Sequence, residues 1–572
     1  MAFVRTVKIR SSSGEVHEYL RVVENIRRGG RVRQKVIANL GNVIALRKDV
    51  RQIVNGLLRV CGEKGIHFAE DGRLISTKEY GVRYVAEAVW EELRLSEVIR
   101  KHLQGCGANL KYEQWVKMMV VNKLSDPTSK LGIFRWLSSV YWPEHGFDGR
   151  VMSEELSKED ELKILKGEVM KFYRAMDRLL MLKEELERHL YFKLRDLFSL
   201  KVDLVFYDLT SSYFEGEGPE GFAVLGYSRD HEPGKHQVVV GLIMCNGMPI
   251  GHEVFEGNRV DKKTVKEVLS NLKKRFQIER CIFVGDRGLV TRENLEEIER
   301  HGFDSILALR KRRNEEIKEI VLSKEPLKYH QESKELEWYE VKGGDGLRYI
   351  VCRNPSVAAE QKEKRQEALA LLRRELDLLI ESLRRSEKGY TVKTIVRKVE
   401  DILRHKHGRR LIDYKVDEKN HCFTYWNKED SLKLEEAIDG VYILRTKEWA
   451  MEPLKVIEAY KDLTEVERAF RTMKSVLDLR PFWHWKEERV RAHALICYLA
   501  FLIERYVQRV LKTSHADFSA IHAFKSLKHL GAAEMKIDDE RYFYIGEPTH
   551  RQLMIFKALN IKPPTRCIVQ KQ

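Results

Sequence analysis

The chain has 572 residues, room for several domains, and its 43% hydrophobic content supplies real cores rather than general disorder. Lys and Arg outnumber Asp and Glu by 103 to 87, and this net +16 favours a polyanionic partner, most commonly nucleic acid. Eight scattered cysteines without a CxxC pair argue against a disulfide framework or zinc ribbon, and the longest apolar run, Ala494–Ile503, is too short to cross a bilayer. With no signal-like apolar core at the start, the expectation is a cytoplasmic protein without a membrane.

In chain order, residues 1–43 read as short strands, VRTVKIR, EYLRVVENIR and VRQKVIANLG, separated by Ser-Ser-Ser-Gly and Arg-Gly-Gly-Arg turns. Arg27, Arg28, Arg31 and Arg33 cluster at the second turn, either as a solvated tip or as phosphate contacts. From 44 to 200 the pattern is helical, ending in a long charged run. At 201 it changes to strands, VDLVFYDL, HQVVVGLIM and PIGHEVFEG. A helix near 262–276, strand CIFVGD, helix Arg292–Arg300 and strand SILALR follow. Strands followed by a β-α-β alternation predict a mixed sheet flanked by helices over 201–310. An insertion is expected over 311–439, with strand LRYIVCRN, two charged helices and a hairpin near His421. The core resumes over 440–512, and 513–572 forms a polar tail with no assigned element.

Three carboxylates stand out. Asp208 closes the strand in FYDLTSSYFEG, and Asp286 closes CIFVGD. Glu467 lies in AYKDLTEVERAFRTMKS, read as one helix from Ala459 to Ser475. There Leu463, Val466, Phe470, Met473 and Leu477 form an apolar stripe, while Tyr460, Glu467 and Lys474 recur every seven residues. Singly, each aspartate is an ordinary turn or cap, and Glu467 an i,i+4 partner for Arg471. Together, strand-end aspartates and a helical glutamate supply oxygen ligands suited to one or two hard divalent cations, the apparatus of in-line attack on a phosphodiester. The absence of Cys/His clusters points away from zinc.

The set YDLTSSYFEG, GYSRDHEPGKHQVVVGLIMCNGMPIGHEVFEGN, VGDRGLVTRENL and YKDLTEVERAFRTMK resembles the DDE transposases of insertion sequences. The resemblance is greatest to the branch with a Tyr-x2-Arg-x3-Glu-x6-Lys signature, and it covers roughly 200–500; the first 43 residues also resemble one such subgroup. It implies an RNase H-like α/β core interrupted by a mixed insertion domain, with a largely helical N-terminal region preceded by a small β segment. Asp208, Asp286 and Glu467 would hold two Mg²⁺ (or Mn²⁺) ions and carry catalysis. Tyr460 and Lys474 would touch DNA phosphates. The signature's arginine falls on Leu463, so Arg468 or Arg471 would have to supply that contact. An aromatic residue of the insertion can stack on a flipped base; Trp426 is the better candidate and Trp338 the other, with packing of the insert's own strands as the alternative. The partner would be double-stranded DNA, inverted repeats and target, bound by a homodimer assembled on DNA ends in the cytoplasm, associated with the nucleoid. DNA-end binding and dimerisation would fall to 44–200. Two rivals stay open: an inactive transposase-derived DNA-binding protein, and an RNase H-like nuclease without strand transfer.

Overall fold

The computed structural model describes residues 2–12, 14–28, 31–62, 72–105, 111–147, 158–199, 203–259, 264–286, 291–309, 311–312, 315–322, 330–344, 346–385, 390–537 and 540–570. Cys106 and residues 287–290 of the VGDRGLVT stretch lie outside them, as do the side chains of Arg28 and Arg31. The chain forms two compact units, one of 1–77, 532–546 and 565–572, the other of 78–531 and 547–564.

In the first unit β1 (Ala2–Arg10), β2 (Val16–Arg28) and β3 (Arg31–Asn42) form an antiparallel sheet, with β2 paired to both neighbours. The helical run expected from 44 contains a strand, β4 (Gly72–Glu79).

In the second unit, β5 (Leu204–Tyr213), β6 (Gln237–Cys245) and β7 (Met248–Glu256) form an antiparallel meander. β6 is buried along its whole length, which explains its unbroken apolar run. Helix Val265–Lys274 then crosses to β8 (Ile282–Gly285), and helix Arg292–Arg300 to β9 (Asp304–Ala308). β8 lies parallel to both β5 and β9. The order β7-β6-β5-β8-β9, three antiparallel strands followed by two parallel ones, is the RNase H-like arrangement.

The insertion divides differently from its expected 311–439 span. β10 (His330–Ser333), β11 (Leu336–Lys342) and β12 (Arg348–Arg353) extend the same sheet. Only the next part stands apart: helices Pro355–Arg385 and Val392–Arg404, the ribbon of β13 (Ile412–Asp417) and β14 (Cys422–Asn427), and helix Glu429–Ala437. Leu372, Leu376, Ile395, Val399, Leu403 and Phe423 give it its own core. β15 (Val441–Thr446) then slots between β12 and β9, so the sheet runs to nine strands. Short strands such as these do not announce their partners, because pairing over such distances is not encoded locally.

Helix Glu487–Thr513 is buried along one long face and runs beside β7, with Arg491 donating to the Val254 carbonyl and the Tyr498 hydroxyl to the Pro249 carbonyl. Its apolar run Ala494–Ile503 is wholly internal, and among the described residues no helix is long and apolar enough to cross a membrane. Past 513 the expected tail is structured. β16 (Gly531–Ile537), β17 (Glu540–Ile545) and β18 (Cys567–Gln570) form a sheet with β4 at its edge.

Candidate active site

Alternation along β5 sets the site. Val205, Tyr207 and Leu209 point into the core beneath helix Val265–Lys274, so Phe206 and Asp208 face the other side of the sheet. Helix Leu463–Ser475 packs there, against β5 and helix Glu487–Thr513. Its stripe does the packing: Leu463, Val466, Phe470 and Met473 are buried, as is Leu477 just beyond, and Glu467 is left exposed on the same helix.

Asp208 does not end its strand, as the sequence suggests. β5 continues through Thr210, Ser211 and Ser212, all paired with β6. What ends near Asp208 is the parallel pairing with β8, whose last couple is Phe206 with Val284. Asp208 and Asp286 each lie two residues past that couple, side by side where the neighbouring strand stops. Carboxylates at such strand ends border the ligand crevice of an α/β sheet.

Electrostatics ties in the third acid. Burial, first, and then the Asp286 and Glu467 charges push the Asp208 carboxyl up to about 7, opposed by the Leu209 backbone N–H and the Arg229 guanidinium. Among the described residues no ion pair links Glu467 to Arg471, the partnership an ordinary helix would offer. A half-buried carboxylate with two like-charged neighbours suits a hard divalent ion, and the donors are all oxygen. Among the described residues, however, no three such side chains yet close on a common point tightly enough to hold a metal.

The helix read as continuous from Ala459 breaks at Asp462, which ends helix Pro453–Lys461 and precedes Leu463–Ser475. A 3.1 Å bond from Val456 N–H to the Glu452 carbonyl opens the first helix, and a 2.9 Å i+3 bond from Glu465 N–H to the Asp462 carbonyl opens the second. Tyr460 thus lies on the first helix and Glu467 on the second. Tyr460 is half-buried and stacks on Tyr442, ring centroids 5.9 Å apart. Lys474 donates to Asp230 at 2.7 Å, its side chain 9% exposed and that of Asp230 3%. Arg480 completes this triad from the other side. Leu463 is buried, so the signature's arginine position faces the core in this chain.

Arg468 pairs with Glu465 at 2.6 Å, and with the exposed Arg471 it lines a cavity of about 690 Å³ that also carries Arg505, Arg509 and Lys512. A larger cavity, about 1210 Å³, opens beside Asp286, with Lys311, Lys364, Lys406 and Arg410 on its walls. His407, next to Lys406, also lines this cavity. Trp426 is 48% exposed on β14, whereas Trp338 stacks on His330 at 4.6 Å. Arg489 lies over Tyr173 and pairs with Asp177, and His493 is buried, both structural placements. Sequence reasoning overlooked Asp230 and Arg229; a charge cluster in a loop between two buried strands was the available signal.

Comparison with known proteins accounts for most of the chain. The model of the transposase DDE domain matches residues 203–503, more than half of the 572. The model of the IS1634 family transposase N-terminal domain matches 4–71. No curated protein matches. Among solved structures, a piggyBac transposase synaptic complex with hairpin DNA shares 9% identity at a TM-score of 0.38, over 74% of this chain and 70% of that one, too loose a likeness to assign any residue. The chain belongs to the DDE transposases of insertion sequences, with an N-terminal domain of the IS1634 type.

Proposed function

We propose that Asp208, Asp286 and Glu467 form the catalytic centre of a transposase that binds terminal inverted repeats, cleaves the element's ends and joins the freed 3′-hydroxyls to target DNA. The observation that carries this is the juxtaposition of Asp208 and Asp286 past the last paired couple of β5 and β8, with Glu467 acting on Asp208 from the covering helix. These three residues would hold two Mg²⁺ or Mn²⁺ ions, which when bound supply a Lewis acid for water or hydroxyl attack and for the leaving oxygen. The chain's own part is positional. The apolar stripe holds the glutamate helix to β5, and the long, exposed Glu467 side chain is free to close on the two aspartates. Arg229 moderates the charge at Asp208, while the Asp230–Lys474–Arg480 triad locks the loop after β5 to the glutamate helix.

DNA is the partner the family and the net +16 favour, with a homodimer assembling on paired ends. Arg468, Arg471 and the cavity beside Asp286 offer phosphate contacts, Tyr460 is placed near the same helix, and Trp426 is exposed enough to stack on a base. Asp286→Ala separates this reading from its rivals. End cleavage in Mg²⁺ should disappear while gel-shift binding of repeat-end duplex persists. Loss of binding together with cleavage would make Asp286 structural; a wild-type protein that binds but never nicks would be the inactive descendant, and one that nicks any duplex without joining ends would be the plain nuclease.

A further inference from the structure

Beyond Asp208, β5 runs five residues further to Tyr213, on the order of 16 Å, and two segments dock on that stretch. The first is the loop 225–236. The Arg229 backbone N–H donates to the Ser211 hydroxyl at 2.7 Å, and the Tyr227 carbonyl accepts from Gln237, whose register partner is Tyr213. The second is the run 480–485, bridged to Phe214 at Phe482. Phe482 N–H donates to the Tyr213 carbonyl at 2.9 Å and its carbonyl accepts from Glu215 at 3.0 Å.

That second run alternates. Phe482 and His484 are buried, at 0% and 8%, whereas Trp483 and Trp485 are 63% and 68% exposed. Burial alternates along the run, and both indoles face solvent. Their inward neighbours are fixed. Phe482 stacks on Phe214 at 5.3 Å, and His484 meets Tyr173 edge-on at 6.0 Å. Tyr227 is 82% exposed on the adjoining loop. Cations are interleaved with these rings: Arg229 lies 6.0 Å from the Tyr227 ring, and Lys235 and Arg480 lie 4.4 and 5.8 Å from the Tyr213 ring. An isolated exposed tryptophan needs no explanation, but three exposed aromatics with cations along one strand end do.

We propose that Tyr227, Trp483 and Trp485 form a stacking platform for unpaired bases of a DNA strand leaving the carboxylates along the end of β5. Every base has a π-face, so a rigid aromatic ledge beside a cationic rim takes single-stranded DNA with little regard to sequence. The identity of the strand rests on the DNA-cleaving function proposed above; the platform itself does not need the carboxylates.

The test is fluorescence anisotropy of a labelled oligothymidylate and, separately, of a duplex of matched length, with the full chain. Trp483→Ala and Trp485→Ala should each weaken single-strand binding about 5- to 150-fold, and leave duplex binding within about 2-fold. Trp485→Phe should recover most of the loss. Unchanged single-strand affinity in both alanine variants overturns the platform, as does an equal loss on duplex. Failure of the parent protein to nick repeat ends, with the tryptophan dependence intact, would overturn the catalytic reading and leave the platform standing.

Discussion

Lys474 offers a sharp choice between two roles. Its ammonium is bonded to Asp230 at 2.7 Å with both side chains nearly out of solvent, and burial holds its pKa below the usual lysine value. Consider Lys474→Met, which keeps the stem and removes the charge. Asp230 then retains only Arg480, and losing one partner of a buried pair costs about 3–5 kcal/mol, or roughly two to four powers of ten in the folded-to-unfolded ratio. Arg480 compensates in part, so the lower end of that range is expected. A lysine that touched a DNA phosphate would instead contribute about 0.9 to the slope of log affinity against log salt. Urea unfolding and salt-dependent binding to repeat-end duplex measure the two effects on one preparation. The expected outcome is a fall in urea midpoint with the slope unchanged. An unchanged midpoint with a slope reduced by about 0.9 would refute the reasoning and return Lys474 to the DNA.

Other expectations follow from the same physics. Lys183, His252 and Arg275 surround the fully buried Glu187 and outweigh the burial that would raise its carboxyl, holding it well below its usual range. Glu187→Gln should therefore cost about 3 kcal/mol above pH 4.5, and the gap to the parent protein should close as pH falls below it, read by urea unfolding. Asp208 has the opposite sign. Its carboxyl is raised to about 7, so metal-free stability associated with it is full below about pH 3.8 and lost as pH rises through 7; Mn²⁺ affinity by calorimetry should climb over that window, and Asp208→Asn should flatten both. In the insertion, Leu376 is 0% exposed within a core of its own, and Leu376→Ala should cost about 2–5 kcal/mol. Hydrogen exchange should show the loss in helices Pro355–Arg385 and Val392–Arg404 while β5, β6 and β8 keep their protection.

The central sheet was legible because its signals are local. Short continuous apolar runs, turn residues and crossover helices mark β5 to β9 in the sequence. The apolar stripe from Leu463 to Leu477 was equally plain, and it is buried. What escaped depends on distant partners. Nothing near β10 to β12 says that they join the sheet of β5 to β9, or that β4 pairs with a strand more than four hundred residues later. The placement of Asp208 misled for a related reason: the sequence shows where a strand's apolar run ends, whereas the crevice lies where the neighbouring strand stops pairing. The break at Asp462 was hidden too, since its residues suit a helix throughout. Trp483 and Trp485 are visible in PFWHWKEE, but their joint exposure comes from the anchoring of Phe482 and His484 inward.

The claim that three acids, distant in sequence, hold one metal site is tested most directly by replacing Mg²⁺ with Fe²⁺ and generating hydroxyl radicals at the bound ion. Backbone cuts should cluster near Asp208, Asp286 and Glu467 together, fade with excess Mg²⁺, and vanish in Asp208→Asn. Cuts confined elsewhere, or undiminished in that variant, would contradict it.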